Sequence, residues 1–159
     1  MERYGFKALT RDLKNRYGEQ FSIGEIKEVN GEIKWGVNGN GYHYCEHIED
    51  CFRYVDAFND DIVIAVVKAY GDEEEYNDDY YGYYNMFVTR AIEIIDILNR
   101  DEIIEAVLNT NNPYSYKKFI TTFPLTENEL SLFTDRLPEI KKDLNVIHEA
   151  NNGFSRVKK

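Results

Sequence analysis

The chain reads as an α+β protein: a β-rich body followed by a helical C-terminal part. Three observations predict this. The run 61–70, Asp-Ile-Val-Ile-Ala-Val-Val-Lys-Ala-Tyr, is β-branched and apolar, as suits a strand covered on both faces. Turn signals punctuate the first half, above all Asn30-Gly31 and the glycine-rich run 36–41. After about residue 100 the apolar spacing becomes helical and helix-start signals recur.

Taken in order, 4–9 forms a first strand that carries Lys7, and 12–18 is a turn or short loop. Segments 21–29 and 32–37 flank Asn30-Gly31 as a predicted hairpin. The stretch 36–41 is a loop, over a pocket or at a bulge, that feeds a strand at 41–45. Residues 48–55 then place Ile48, Cys51, Phe52 and Val55 on one helical face. Six of the eight residues at 72–79 are acidic, which predicts an exposed loop or the tip of a long hairpin. The segment 87–98 fits a buried strand or a buried helix, and strand is favoured because Asn99-Arg100-Asp101-Glu102 looks like a break and a fresh helix start. Helices follow at 102–108, 115–122 and 127–136, the last with Thr126 as N-cap and Glu129 completing a capping box. Pro138 opens a final helix to about residue 150. The expected division is 1–109 for the β-rich domain and 110–159 for the helical appendage.

The formal charge of −10 argues against direct nucleic-acid binding, since phosphates are repelled. No apolar run approaches the ~18 residues of a membrane span, and residues 1–7 lack the pattern of a secretory signal. Two cysteines six positions apart make no disulfide framework. A cytoplasmic, reducing setting is expected.

The segment 41–55 holds two of the three histidines, both cysteines and three tyrosines. His43, Cys45, His47 and Cys51 are nitrogen and sulfur donors of the kind zinc prefers. Their H-x-C-x-H-x3-C spacing matches no knuckle, and same-face neighbours on a strand stand ~6–7 Å apart, so no metal site is assigned. Glu46, Glu49 and Asp50 crowd Cys45 with negative charge, which opposes a reactive thiolate. Cys45 and Cys51 therefore read as small buried packing residues.

Two family resemblances attach to these residues. Gly5-Phe6-Lys7-Ala8, Gly41-Tyr42-His43-Tyr44-Cys45, Cys51-Phe52-Arg53-Tyr54 and the strand ending in Gly71 resemble an uncharacterised bacterial and phage domain over about 4–108. The same order more distantly resembles the ADP-ribosyltransferases of the poly-ADP-ribose polymerase type. That likeness implies a cleft for NAD, with Lys7 in place of a first-strand His or Arg. It puts His43 where a tyrosine stacks on nicotinamide, with Tyr44 and Tyr54 as further ligand-binding residues. Glu93 would be the catalytic glutamate that polarises the ribose hydroxyl, and without it the fold binds but does not transfer.

A second function is also expected of this charge. The acidic, tyrosine-rich ribbon, with Glu73, Glu74, Glu75, Asp78, Asp79, Tyr80 and Tyr81, can mimic a phosphate backbone. The chain would then be a phage-type inhibitor whose partner is a basic nucleic-acid-processing enzyme.

Overall fold

The apolar run from Ile62 builds a strand, and the acidic residues after it continue that strand instead of leaving it. The computed structural model describes residues 2–15, 17–36, 38–54, 62–78 and 83–158, the side chains of 53, 54, 78, 83, 84 and 152–158 excepted. Its strands are β1 (Glu2–Thr10), β2 (Ile26–Glu28), β3 (Tyr42–Cys45), β4 (Ile62–Asp78) and β5 (Tyr83–Leu98). A 3₁₀ turn at Ile48–Tyr54 follows β3. The helices are α1 (Arg100–Asn109), α2 (Pro113–Thr122), α3 (Glu127–Arg136) and α4 (Lys141–Lys158), with a 3₁₀ turn at Pro138–Ile140.

The architecture is α+β: an antiparallel five-stranded sheet covered by helices. β4 and β5 form one long hairpin, paired from Ile64 opposite Leu98 to Asp78 opposite Tyr83, with register shifts at Val66–Val67, Tyr70–Glu73 and Tyr76–Asp78. The other edge of β4 takes β1, with Gly5 opposite Val67. The other edge of β5 takes β2 at Ile26–Glu93 and β3 at His43–Val88. β1 and β3 then meet at one pair, Phe6 opposite Cys45. The strands β5, β4, β1 and β3 therefore close into a small barrel whose last seam is a single pair wide.

Strand alternation sorts the side chains between two cores. Leu9, Tyr42, Tyr44, Val67, Phe87, Ile92 and Ile94 fill the interior. Cys45, Ile64 and Met86 pack instead with the helices, together with Cys51 and Phe52 of the 3₁₀ turn. The helical layer is built on aromatic contacts: Phe133 meets Tyr116 edge-on at 5.0 Å and stacks on Phe119 at 5.4 Å. The buried Tyr116 hydroxyl donates to the Leu108 carbonyl at 2.7 Å, so the ring is buried without an orphaned polar atom.

The acidic run lies at the distal end of a long hairpin, one of its two expected readings, and is strand as far as Asp78 because its residues pair with Tyr83–Thr89. Other expectations are corrected. The predicted hairpin about Asn30-Gly31 does not form: β2 pairs with β5, and a different turn is closed by bridging Lys34 to Asn40. Long-range bonds override the local signal, since Arg90 donates to the carbonyls of Val29 at 3.0 Å and Gly31 at 2.8 Å. The final helix runs past the expected end near 150. The capping box at Thr126 and Glu129 forms as predicted, and a second one forms at Asn99 and Glu102. Among the described residues no helix is long and apolar enough to cross a membrane.

Candidate functional site

Continuing the register past Phe6–Cys45 would pair Ala8 with His43, but the two strands part there instead. A cavity of about 580 Å³ occupies the gap. It is lined by residues 7–10 of β1, by Gly41 and residues 42–45 of β3, by Lys14, Asn15, Tyr17 and Glu19 of the first loop, and by Trp35, Gly36 and Gly39 of the second. Alternation of the backbone fixes what faces it. The Thr10 amide bonds to Lys14 and not to β4, so the amide and carbonyl of Ala8, two residues back, also point into the gap.

Glycines let the chain make this shape. A Cβ on Gly5 would lie 2.5 Å from the Cys45 carbonyl oxygen and 2.6 Å from the Tyr44 ring, so the seam closes only over a bare backbone. Gly41 enters β3 at φ 128°, and a Cβ there would strike Val88 and Thr89.

Lys7 reaches the place that Ala8 leaves open. Its ammonium donates to the His43 carbonyl oxygen at 2.6 Å. Protein surrounds it on all sides while part of its surface faces the cavity, and burial lowers its pKa to about 8. Lys27 and Lys68, by contrast, are held by carboxylates, Lys27 by Glu19 at 3.0 Å and Lys68 by Glu2 at 3.2 Å. Lys14 lies 3.6 Å from Asp12 in an exposed pair, which holds it weakly.

The walls are aromatic. Trp35 stacks on Tyr76 at 4.4 Å and meets the His43 ring edge-on at 4.4 Å. Tyr42 donates to Glu19 at 3.0 Å, and burial followed by that bond pushes its pKa up to about 12. Tyr44 stacks on Phe87 and donates to Glu73, and burial raises its pKa further still. Burial, and after it the neighbouring Cys45, also raises the Cys51 thiol well above its ordinary value. The two cysteines are free and buried, with Cys45 reaching the cavity. Among the described residues no three His, Cys, Asp or Glu side chains converge as a metal cluster.

Of the residues singled out from sequence, Lys7, His43 and Tyr44 come together in the cavity. Glu93 does not join them: it accepts from the Tyr70 hydroxyl at 2.6 Å, opposite Lys68 on the far part of β5. The Tyr54 and Asp78 side chains, and Asp79, Tyr80 and Tyr81, lie outside the described residues. Glu74 and Glu75 are exposed on β4, whereas Glu73 is engaged by Arg3 at 2.6 Å and by Tyr44.

Trp35, Lys14, Glu19 and Tyr42 escaped the sequence reading. Tyr42 alternates with Tyr44 on β3, a signal that was present. The other three come from irregular loops, which carry no periodicity to mark a facing direction.

A family model described as "Domain of unknown function (DUF7666)" matches residues 3–106. The chain belongs to this family. The DUF7666 match takes in β1 to β5 and most of α1, and so every residue that lines the cavity. No curated protein and no solved structure matches the chain.

Proposed function

We propose that the seam cavity is a nucleotide pocket that binds without carrying out transfer. The observation that carries this reading is the convergence, in a gap between two parted strands, of a buried ammonium, aromatic walls and a loosely held rim cation. Trp35, His43 and Tyr42 offer surfaces for a planar heterocycle. Lys7 offers a hydrogen-bond donor to a ribose or carboxamide oxygen, and Lys14 a charge for phosphate. The size suits a ligand of this class.

The order of Lys7 on β1, His43 and Tyr44 on β3, and a following strand that passes through Gly71 supports an ADP-ribosyltransferase-like arrangement, with NAD as the ligand it implies. Glu93 stands away from the cavity, which favours binding over transfer. Calorimetric titration with NAD and with ADP-ribose tests the reading. Saturable heat that is lost in His43→Ala supports it, and no heat at millimolar ligand overturns it.

One observation favours a second reading. Glu74 and Glu75 stand exposed on a ribbon that runs beyond the part of β4 paired with β1. That is the geometry of an acidic surface for a basic protein partner.

A further inference from the structure

Four other lysines of the described structure, Lys14, Lys27, Lys68 and Lys117, each have a carboxylate within ion-pair reach. Lys7 has a carbonyl oxygen instead. A carbonyl satisfies one of the three ammonium hydrogens and supplies no countercharge. Lys7 also lines the cavity and is only partly buried, which gives an incoming molecule an approach to it. A desolvated lysine beside a cavity, with no carboxylate in ion-pair contact among the described residues, is an environment suited to an amine that attacks carbonyl groups.

We propose that Lys7 is a carbonyl-reactive amine and that the cavity takes a phosphate-bearing aldehyde, its carbonyl carbon at Lys7 Nζ and its phosphate at Lys14. The inference rests on reading this cavity as a pocket for a phosphorylated ligand. The step balances without a redox partner. The ammonium first gives one proton to solvent. The nitrogen lone pair then adds to the carbonyl carbon, and the resulting carbinolamine expels its hydroxyl as water while the C=N bond forms. Both amine hydrogens and the carbonyl oxygen leave as that water. The link is reversible by hydrolysis.

Burial favours the attack, because a pKa near 8 leaves far more neutral amine at pH 7 than an ordinary lysine has. Against an unperturbed value of ~10.4 the excess is roughly two-hundredfold. The Lys7–His43 bond also fixes where the nitrogen sits while the cavity supplies the approach.

The test uses the whole chain with two phosphorylated aldehydes, pyridoxal 5′-phosphate and the open-chain form of ADP-ribose, trapped with cyanoborohydride. Peptide mapping then locates the adducts. The expected result is one dominant adduct, at Lys7, formed about ten times faster at pH 7 than at any surface lysine. Its rate should rise with pH and level off above about pH 8. Lys14→Gln should slow Lys7 labelling by pyridoxal 5′-phosphate several-fold and leave labelling by unphosphorylated pyridoxal unchanged. Preference for one probe tells an aromatic aldehyde from a reducing sugar. Adducts spread over surface lysines with Lys7 no faster than the rest would overturn the proposal, and wild-type mapping gives that answer even if Lys7 variants fail to fold. Saturable NAD binding without a Lys7 adduct leaves the nucleotide reading standing and removes this one. A Lys7 adduct without NAD binding does the reverse.

Discussion

The Lys7 ammonium donates to the His43 carbonyl oxygen at 2.6 Å, in the gap where Ala8 and His43 would otherwise pair. A side chain of β1 thus takes over a bond that the backbone of β1 has given up. The seam stays tied at its edge while a cavity opens behind it. That one substitution of partners links the sheet's topology to the site.

It also makes stability depend on pH in a definite direction. Lys7 titrates near 8 in the fold and near 10.5 in the unfolded chain. Between those values the unfolded state holds more protons, so stability rises with pH across that window. Below pH 8 the burial penalty is present in full, and as pH climbs it is relieved. The gain is on the order of 2 kcal/mol, with allowance for the water that the cavity admits. Urea denaturation at pH 7.5 and pH 9.8 should show it. Lys7→Met should flatten that rise and remove ligand binding; a rise of the same size in Lys7→Met would refute the assignment.

Trp35 is the chain's one tryptophan and lines the cavity. Its fluorescence therefore reports occupancy without added labels. Saturating NAD should change the emission, with a midpoint that matches the calorimetric one. Trp35→Leu should weaken binding about tenfold through loss of aromatic contact. An unaltered spectrum under saturating ligand would place the ligand elsewhere.

Glu93 and Glu19 make opposite predictions. Glu93 is held by Tyr70 outside the cavity, so Glu93→Gln should leave ligand affinity within twofold. Glu19 lines the cavity and fixes both Tyr42 and Lys27, so Glu19→Gln should weaken binding several-fold. Parallel titrations of the two variants decide the matter. A large loss in Glu93→Gln with none in Glu19→Gln would move the site to the other end of β5.

How far the sequence discloses this fold depends on the range of the interaction that decides each element. α3 is legible to the residue, because Thr126 and Glu129 set its start through local bonds. β4 is legible only as far as Tyr70, since its acidic half becomes strand through pairing with β5, which no local propensity reports. Asn30-Gly31 is a sound turn signal that Arg90, some sixty residues on, captures for another arrangement. The site behaves alike. Lys7, His43 and Tyr44 stand in recognisable strands, while Lys14, Glu19 and Trp35 reach the cavity through loops whose course is set by tertiary contacts.

The acidic ribbon divides into bonded and unbonded charges, and the two should respond differently. Glu73 accepts from Arg3 and Tyr44, so Glu73→Lys breaks that network and should cost about 1–3 kcal/mol of stability. Glu74 is exposed beside it. Reversing Glu74 and Glu75 together should change stability by less than about 0.5 kcal/mol. It should also abolish capture of a basic partner and leave NAD binding intact. Pull-down and calorimetry on the same double variant separate the two surfaces. Loss of both activities would mean that ribbon and cavity form one site.

Gly5 offers the strictest test of the seam. Phe6 and Cys45 are its one pair, and Gly5 lies directly beneath it. A methyl group there would meet the Cys45 carbonyl oxygen at 2.5 Å and the Tyr44 ring at 2.6 Å. Those atoms belong to backbone and to a ring already stacked on Phe87, so neither gives way cheaply. Gly5→Ala should therefore destabilise the protein by about 1–3 kcal/mol. It should also part the barrel further and weaken ligand binding, even where the variant is fully folded. Phe133→Ala serves as the control. It removes a buried ring of the helical layer and should cost about 3–5 kcal/mol without touching the cavity. Ligand affinity measured well below each variant's melting temperature should fall for Gly5→Ala alone. Equal affinities in the two variants would mean that the cavity does not depend on the one-pair seam.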